Sequence, residues 1–468
     1  MSAPIAIDPD RPQGHALRLL EFLHGLGSHT PAAPMDKARW CLLDALGCGL
    51  LGARQPWGEI MVADVLADGT TGACSLLGHP ARVAPAQAAL CNGTAIHGFE
   101  LDDLLSEAVI HPGAVIVPAA LAAAESVDAS GEQLLRGIVA GYEATARISI
   151  ALGMEASQRG FHKTSVVGPV AGAIAAAVTM RLSLDQLHNA VGLACSCAGG
   201  IKNFATGSAG MVKRMHAGRA AEAAVRMASL ARRGFTAPPA AIDGTYGLLD
   251  AFSGSKAQLR QLDAQLGAQW AIDDVWVKVY PICGWIQGVV QLLLDMRAGA
   301  GVQAHDVEKV VVATSAFAVR NNANVDVRDT MDAQYSIPYC VSVALTGDPG
   351  DPNEFGRGRI FDFDAGRKLI AERVELRVDP VAEQVYPRQF ACRVELHLKD
   401  GRTLSAETRD PHGTPADPCS LDERVRKFTQ LARLAGASKD LGHALAMVRS
   451  LESGSASVRQ LMREICPG

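Results

Sequence analysis

Residues 92–125 read NGTAIHGFELDDLLSEAVIHPGAVIVPAALAAAE, and this stretch decides the fold class. Apolar side chains recur every three or four residues on both sides of the His-Pro-Gly break at 111–113, which is the spacing of helices that bury one face. Alanine is the strongest helix former and supplies much of the second half. The stretch therefore predicts two helical segments joined by a turn, from which His111 can project into a cleft.

The same spacing extends in both directions, from about Ala16 to Arg260. Stretches such as GEQLLRGIVAGYEATARISIAL and HAGRAAEAAVRMASLARRG carry it, and Ser183 and the segment 128–130 have the residue types of helix caps. We expect one large helical domain here. Residues 47–52, GCGLLG, match the dinucleotide pattern GxGxxG, but residues 37–46 before them have helical rather than strand spacing. We interpret these glycines as contacts between packed helices.

The pattern changes after about Asp273. Residues 307–313 and 391–398 are rich in β-branched or alternating residues, as strands are, and residues 399–402 read as a hairpin turn. Residues 339–345 and 365–370 between the strands have helical spacing. This predicts a smaller α/β domain to about Thr408, a proline-rich linker over 410–418 and a helical tail over 421–465.

Composition narrows the class of protein. The chain has 468 residues, a net charge of −5 and 48% hydrophobic residues, which is typical of a globular protein with a large core. The negative net charge argues against the broadly basic surface that a nucleic-acid-binding protein carries. The N-terminus shows no secretory signal, no segment has the length and apolarity of a membrane span, and the 11 dispersed cysteines favour reduced thiols. We expect a cytoplasmic protein with no nucleic-acid or membrane partner.

A candidate catalytic segment lies in the opening stretch. His97, Glu100 and Asp103 recur at three-residue spacing, so a helix would place them along one side, and His111 follows on the turn. A histidine near carboxylates suits proton transfer near neutral pH. Two alternatives are a solvated acidic helix end and a metal site built from these four residues, although their spacing matches no recognised ligand pattern.

Three further clusters hold candidate polar residues, although each cluster taken singly is more often structural than functional. His162 precedes a Gly/Ala-rich helix, whose N-terminus would favour a bound anion. Lys213 and His216 lie at the start of another long helix. Lys278 lies in the apolar run WVKVYP, where a lysine must reach solvent or meet an anion.

Taken together, the opening stretch and the segments GFHKTSVVGPVAGAIAAA, KRMHAGRAAEAAVRMASLARRGFTAP, VKVYPICG and QYSIPYCVSVAL resemble the MmgE/PrpD family. This family includes 2-methylcitrate dehydratase, cis-aconitate decarboxylase and iminodisuccinate epimerase. The resemblance implies a mainly α fold, in which residues 1–272 and 409–468 form a large helical domain and residues 273–408 form a smaller α/β lid inserted between them. It also implies a homodimer and chemistry without a metal or an organic cofactor.

The resemblance further implies roles for individual residues. The expected catalytic group is His111, His162, Glu100 and Asp103, and the expected substrate-binding group is Lys213, Lys278, His216 and Tyr339. Departures from the family pattern fall at four positions, namely Glu100 where aspartate is common, Leu104 where threonine is common, and Cys283 and Gln287 where many members have a histidine.

These residue types fit one kind of chemistry. Lysines would bind the carboxylates of a small di- or tricarboxylate, and imidazoles would move a proton at the carbon next to a carboxylate. The expected function is a cofactor-independent lyase, by dehydration or decarboxylation of a methylcitrate- or aconitate-like acid. The alternatives are an epimerase of an iminodisuccinate-like acid, an inactive carboxylate-binding homologue and a metal-dependent hydrolase.

Overall fold

A computed structural model describes residues 14–206, 210–361, 365–437, 441–453 and 457–466. The first 13 residues, where no secretory signal is expected, lie outside this part. The fold is mainly α with some β structure. The helices before residue 260 are α1 (Gly14–Leu26), α2 (Ala32–Ala53), α3 (Pro56–Ala67), α4 (Pro85–Ile96), α5 (Gly113–Val127), α6 (Gly131–Leu152), α7 (Glu155–Gln158), α8 (Lys163–Thr179), α9 (Leu184–Cys195), α10 (Met211–Arg232) and α11 (Leu248–Ser253).

The remaining helices alternate with the strands of a second region. They are α12 (Gln287–Ala300), α13 (Ala316–Asn321), α14 (Thr330–Tyr335), α15 (Ile337–Thr346), α16 (Arg357–Phe361), α17 (Ala365–Ala371), α18 (Pro380–Val385), α19 (Leu421–Leu434), α20 (Gly442–Arg449) and α21 (Val458–Ile465). The strands are β1 (Cys74–Leu76), β2 (His79–Val83), β3 (Val307–Thr314), β4 (Val374–Val378), β5 (Cys392–Leu398) and β6 (Thr403–Thr408). The β1–β2 hairpin interrupts the N-terminal helices and was not expected from the sequence.

The buried centre of the molecule is a group of small-residue helices. Every residue of α8 is buried, and α8 lies against α5, α6 and α10. Helices α4 and α10 pack closely at Gly93 and Gly218, where a β-carbon on Gly93 would lie 2.9 Å from the Cα atom of Gly218. A side chain at either position would push the two helices apart, so glycine sets their separation.

The GCGLLG glycines lie inside α2, as the helical spacing predicted. A β-carbon on Gly52 would lie 1.8 Å from the carbonyl oxygen of Ala95, and one on Gly49 would lie 2.4 Å from the side chain of Leu77. These glycines therefore serve close helix packing.

The second region is built on a four-stranded sheet of order β4-β3-β5-β6. Strands β3 and β4 are parallel, and the other two pairs are antiparallel. Strand β5 alternates buried and less buried residues, and Leu396 pairs with Leu404 across the predicted hairpin. The predicted strands and hairpin, and the helices predicted at 339–345 and 365–370, are confirmed.

The C-terminal helices lie against the N-terminal ones. Lys427 of α19 places its Nζ atom 2.7 Å from an Asp44 carboxylate oxygen in α2, and Arg459 of α21 donates to the carbonyl of Glu125 at the end of α5. In the described part of the chain, no helix combines the length and apolarity that crossing a bilayer requires.

Two local predictions have different outcomes. The caps are confirmed at Ser183, which forms a capping box with Gln186, and at Ser130, which accepts a hydrogen bond from the Gln133 backbone. The helix expected through residues 97–103 is wrong. Helix α4 ends at Ile96, one 3-10 turn follows, and Glu100 adopts a left-handed backbone with φ of 55°.

Candidate functional site

A cavity of about 620 Å³ lies where the segments around residues 100–111, 154–163 and 202–213 meet residues of the second region. This volume suits a small organic ligand. Of the eight predicted site residues, four line the cavity: Glu100, His111, His162 and Lys213. Its other wall includes the aromatic side chains of Trp285, Phe317 and Phe390.

Glu100 lies at the centre of a buried charge cluster. Its carboxylate pairs with Lys213, and Lys278 places its Nζ atom 2.9 Å from Oε2 and 3.1 Å from the Glu100 carbonyl oxygen. Tyr335 adds a hydroxyl 3.2 Å from Oε1. The left-handed backbone of Glu100 is uncommon outside glycine and turns the carboxylate towards these partners.

The two lysines expected to bind substrate carboxylates are therefore already paired with a protein carboxylate. Burial, followed by the charge of Lys278, lowers the pKa of Lys213 well below its usual range, and burial lowers the pKa of Lys278. Lys213 still lines the cavity, whereas Lys278 is fully buried behind Glu100 and does not. Lys278 thus contacts the candidate site through Glu100.

His111 is oriented by a carboxylate that sequence reasoning missed. Its Nδ1 atom lies 3.3 Å from Oδ2 of Asp102 and 3.0 Å from the Asp103 carbonyl oxygen. Since both neighbours are acceptors, Nδ1 is the nitrogen that donates, and the lone pair of the neutral imidazole would lie on Nε2. His97 donates to the same Asp102 oxygen at 2.7 Å. Asp102 therefore orients the imidazoles of both His97 and His111.

The charges within this group follow from burial and pairing. Burial lowers the pKa of His97 to about 3 despite the neighbouring Asp102, so His97 is a neutral donor. Burial also opposes ionisation of Asp102, but His111 and His97 outweigh it and hold the pKa of this carboxyl well below its usual range. Asp102 is therefore a carboxylate near neutral pH.

His162 occupies the position just before α8 and belongs to a second imidazole pair. Its Nδ1 atom lies 3.0 Å from Nδ1 of His216, and the ring of Phe204 packs edge-on against both. Burial and the nearby histidines lower the pKa of His162 well below its usual range. His216 lies behind His162 and does not line the cavity.

Two predicted site residues lie elsewhere. Asp103 accepts hydrogen bonds from the Tyr142 hydroxyl at 2.5 Å and from the Gly113 backbone at 2.8 Å, and burial raises its pKa to about 7. This carboxyl thus anchors the start of α5. Tyr339 is fully buried and donates to the Glu354 carbonyl at 2.6 Å. Tyr335, and not Tyr339, is the tyrosine at the cavity.

One group of the described side chains could hold a metal ion, and it differs from the four residues of the metal-site alternative. His97, Asp102 and His111 each offer a ligand atom, and these atoms lie within 4.8 Å of one another. Glu100 and Asp103, which the sequence suggested as ligands, are instead bound by lysines and by Tyr142 and Gly113. The Nδ1–H donors facing Asp102 account for the close approach of the three residues.

Comparison with known proteins covers nearly the whole chain. Residues 18–260 match the family model of the MmgE/PrpD N-terminal domain, and residues 280–453 match that of the MmgE/PrpD C-terminal domain. The change of pattern expected near residue 273 falls between the two matched segments, which end at residue 260 and begin at residue 280.

Curated relatives carry the names of two activities. The chain is 29% identical to the cis-aconitate decarboxylase-like protein oryM of Aspergillus oryzae over 93% of each chain. It is 30% identical to a cis-aconitate decarboxylase of Aspergillus terreus over 86% of each chain. It is 27% identical to the 2-methylcitrate dehydratase of Salmonella typhimurium over 76% of this chain and 74% of the relative.

Proposed function

The chain belongs to the MmgE/PrpD family, and we propose that it is a lyase acting on a small di- or tricarboxylate by proton transfer through His111 and His162. The names of its relatives support this class, because a decarboxylase breaks a carbon–carbon bond and a dehydratase breaks a carbon–oxygen bond.

Both reactions develop negative charge on a carbon next to a carboxylate. In decarboxylation, carbon dioxide leaves and the electron pair of the broken bond stays on carbon, next to a remaining carboxylate, until a proton arrives. In dehydration, a base removes a proton next to a carboxylate and the hydroxyl group leaves with a proton as water. Each needs an imidazole near the reacting carbon and positive charge near the developing enolate.

The orientation of His111 is the observation that carries the proposal. Asp102 and the Asp103 carbonyl fix the proton on Nδ1. Nε2 of this cavity-lining imidazole is then the atom that accepts or returns the substrate proton. Asp102, as a carboxylate, stabilises the imidazolium that forms, so it acts as a positioning residue.

Lys213 and His162 supply the rest of the proposed chemistry. Lys213 lines the cavity beside Glu100 and stabilises the enolate-like charge, with Lys278 holding Glu100 in place. His162, kept neutral by burial, hydrogen-bonds the substrate and exchanges a proton with it. Both residues thus act on the same small ligand as His111.

We also propose that residues 273–408 form a lid on a helical domain made by residues 1–272 and 409–468. Support comes from the aromatic side chains that the second region adds to the cavity, since closure of an apolar wall would exclude water and strengthen the charge interactions. A homodimer and a cytoplasmic location stay predictions.

NMR of the purified protein with cis-aconitate and 2-methylcitrate in deuterated water tests this function. Decarboxylation or dehydration gives new product signals, and proton exchange at the carbon next to a carboxylate removes its signal. We expect turnover of at least one acid. Absence of product and of exchange with both acids would contradict the proposed function.

A further inference from the structure

The charge cluster at Glu100 occupies the two lysines that the sequence suggested would bind the substrate's carboxylates. Lys213 and Lys278 both bind the Glu100 carboxylate, so neither is an unpaired cation facing the ligand. A carboxylate that leaves water needs hydrogen-bonded positive partners. Other cations on the cavity wall must therefore supply them.

Lys163 is one such cation. It follows His162 in sequence, lines the cavity and is 2% exposed. Its Nζ atom donates to the carbonyl of Ser149, 2.9 Å away in the last turn of α6, and no carboxylate of the described residues pairs with it. A lysine has three donor positions, so two remain for a ligand. Burial lowers its pKa to about 7, and an arriving carboxylate would restore its charge.

Lys202 is another cation that lines the cavity, and backbone hydrogen bonds hold its segment beside that of His162. Its N–H donates to the Gly160 carbonyl at 2.7 Å, and the neighbouring residues Phe161 and Ile201 form a β-bridge. Its Nζ atom lies 3.4 Å from the Ser157 carbonyl and 5.2 Å from the ring centre of Phe317. Like Lys163, it has no carboxylate partner in the part of the chain that the structure describes.

We propose that Lys163 and Lys202, which line the same cavity as His162, form the subsite that binds a carboxylate of the substrate and so determine its preference for polycarboxylates. The inference rests on the proposed function and deepens it, because it names which cations recognise the acid. The paired lysines at Glu100 then act on charge that develops during the reaction, and the subsite acts on charge that the substrate brings.

Isothermal titration of the full-length protein tests the subsite with propane-1,2,3-tricarboxylate and pentanedioate, which differ by one carboxylate. The variants are Lys163→Met and Lys202→Met, with Lys202→Arg to restore charge and Lys399→Met as a control on the exposed β5–β6 turn. We expect each methionine variant to weaken tricarboxylate binding by more than about tenfold and to reduce the preference for it over pentanedioate. The arginine variant should recover most of the affinity.

The outcomes separate this inference from the proposed function. If the wild type binds the tricarboxylate and Lys202→Met binds it as tightly as the Lys399→Met control, the subsite is wrong and the proposed function stands. If the wild type binds neither acid and turns over neither cis-aconitate nor 2-methylcitrate, the proposed function fails and the subsite with it. Because Lys163 also caps α6 and its variant could fail to fold, the half-buried Lys202 decides the test alone.

Discussion

Lys278 and Glu100 form a buried ion pair, with Nζ 2.9 Å from Oε2. The two residues are 178 positions apart in sequence. Glu100 follows the 3-10 turn after α4, and Lys278 lies at the start of the second region. The side chains of Lys278 and Glu100 are 0% and 4% exposed. The pair thus links the two regions directly beneath the cavity.

Glu100→Gln should destabilise the protein strongly. The amide keeps the shape of the carboxylate but leaves Lys213 and Lys278 without a counter-charge, and breaking a buried ion pair in this way costs about 3–5 kcal/mol. Urea unfolding measures the change. The exposed Glu308→Gln is the matched control and should stay within about 0.5 kcal/mol of the wild type. An unchanged midpoint for Glu100→Gln would show that the cluster adds no net stability.

His111→Ala and His162→Ala should each lower turnover by at least about a hundredfold, because a general acid/base contributes on that scale. Circular dichroism should show a retained fold. The exposed His305→Ala should keep normal kinetics. Near-normal rates in both cavity variants would show that the proton passes through other groups.

Asp102→Asn should lower kcat by more than about tenfold and change KM little. The amide can donate to His111 Nδ1 and so favour the tautomer with the proton on Nε2, which cannot accept a substrate proton. Steady-state kinetics with the exposed Asp64→Asn as control measures the effect. A variant whose KM rises while kcat is preserved would place Asp102 in substrate binding instead.

Gly52→Ala should be among the more damaging single-methyl additions in the protein. The new β-carbon would lie 1.8 Å from the Ala95 carbonyl oxygen, so α2 and α4 must separate, at a cost of about 1–3 kcal/mol or more. Gly299→Ala in α12 meets no atom within 4 Å and should be neutral or slightly stabilising. Thermal unfolding compares the two. Equal melting temperatures would contradict the packing role of the GCGLLG glycines.

Lys163→Met should change how stability depends on pH. Burial lowers the pKa of Lys163 from 10.5 to about 7, so between these values the unfolded chain binds a proton that the folded chain lacks. The contribution of Lys163 to the free energy of unfolding therefore rises with pH through that window. Below the window the buried charge disfavours the folded state. The difference in stability between the variant and the wild type should therefore be more favourable to the variant at pH 6.5 than at pH 9.5. A pH-independent difference in melting temperature would show that Lys163 keeps its ordinary pKa.

Much of the local structure was predictable because its signals are local. Ser183 and Ser130 have the residue type and position of helix caps, and residues 399–402 carry the turn residues of a hairpin. His162 was correctly placed at the start of a helix because an apolar Gly/Ala-rich run follows it at once.

The site could be predicted only in part, because its geometry depends on a break in the chain. Helical spacing favoured Asp103 as a catalytic carboxylate. The left-handed backbone of Glu100 interrupts the helix, so Asp102 contacts the histidines instead. The resemblance points to Tyr339 as the pocket tyrosine, whereas Tyr335 lines the cavity. Ser336 followed by proline at position 338 is typical of a helix start, so Tyr335 ends α14 and Tyr339 lies inside the first turn of α15.

The contact of Gly93 with Gly218 has a consequence for how new specificities could arise in this fold. Helix α4 leads to Glu100 and α10 carries Lys213, so the spacing of two backbones, several residues from any reacting atom, fixes how far apart these charges stand. Substitutions at Lys202 or Phe317 would resize the ligand space and leave that spacing alone. Selection for altered substrates can therefore act on the wall residues one at a time, whereas enlarging either glycine would shift both charged partners at once.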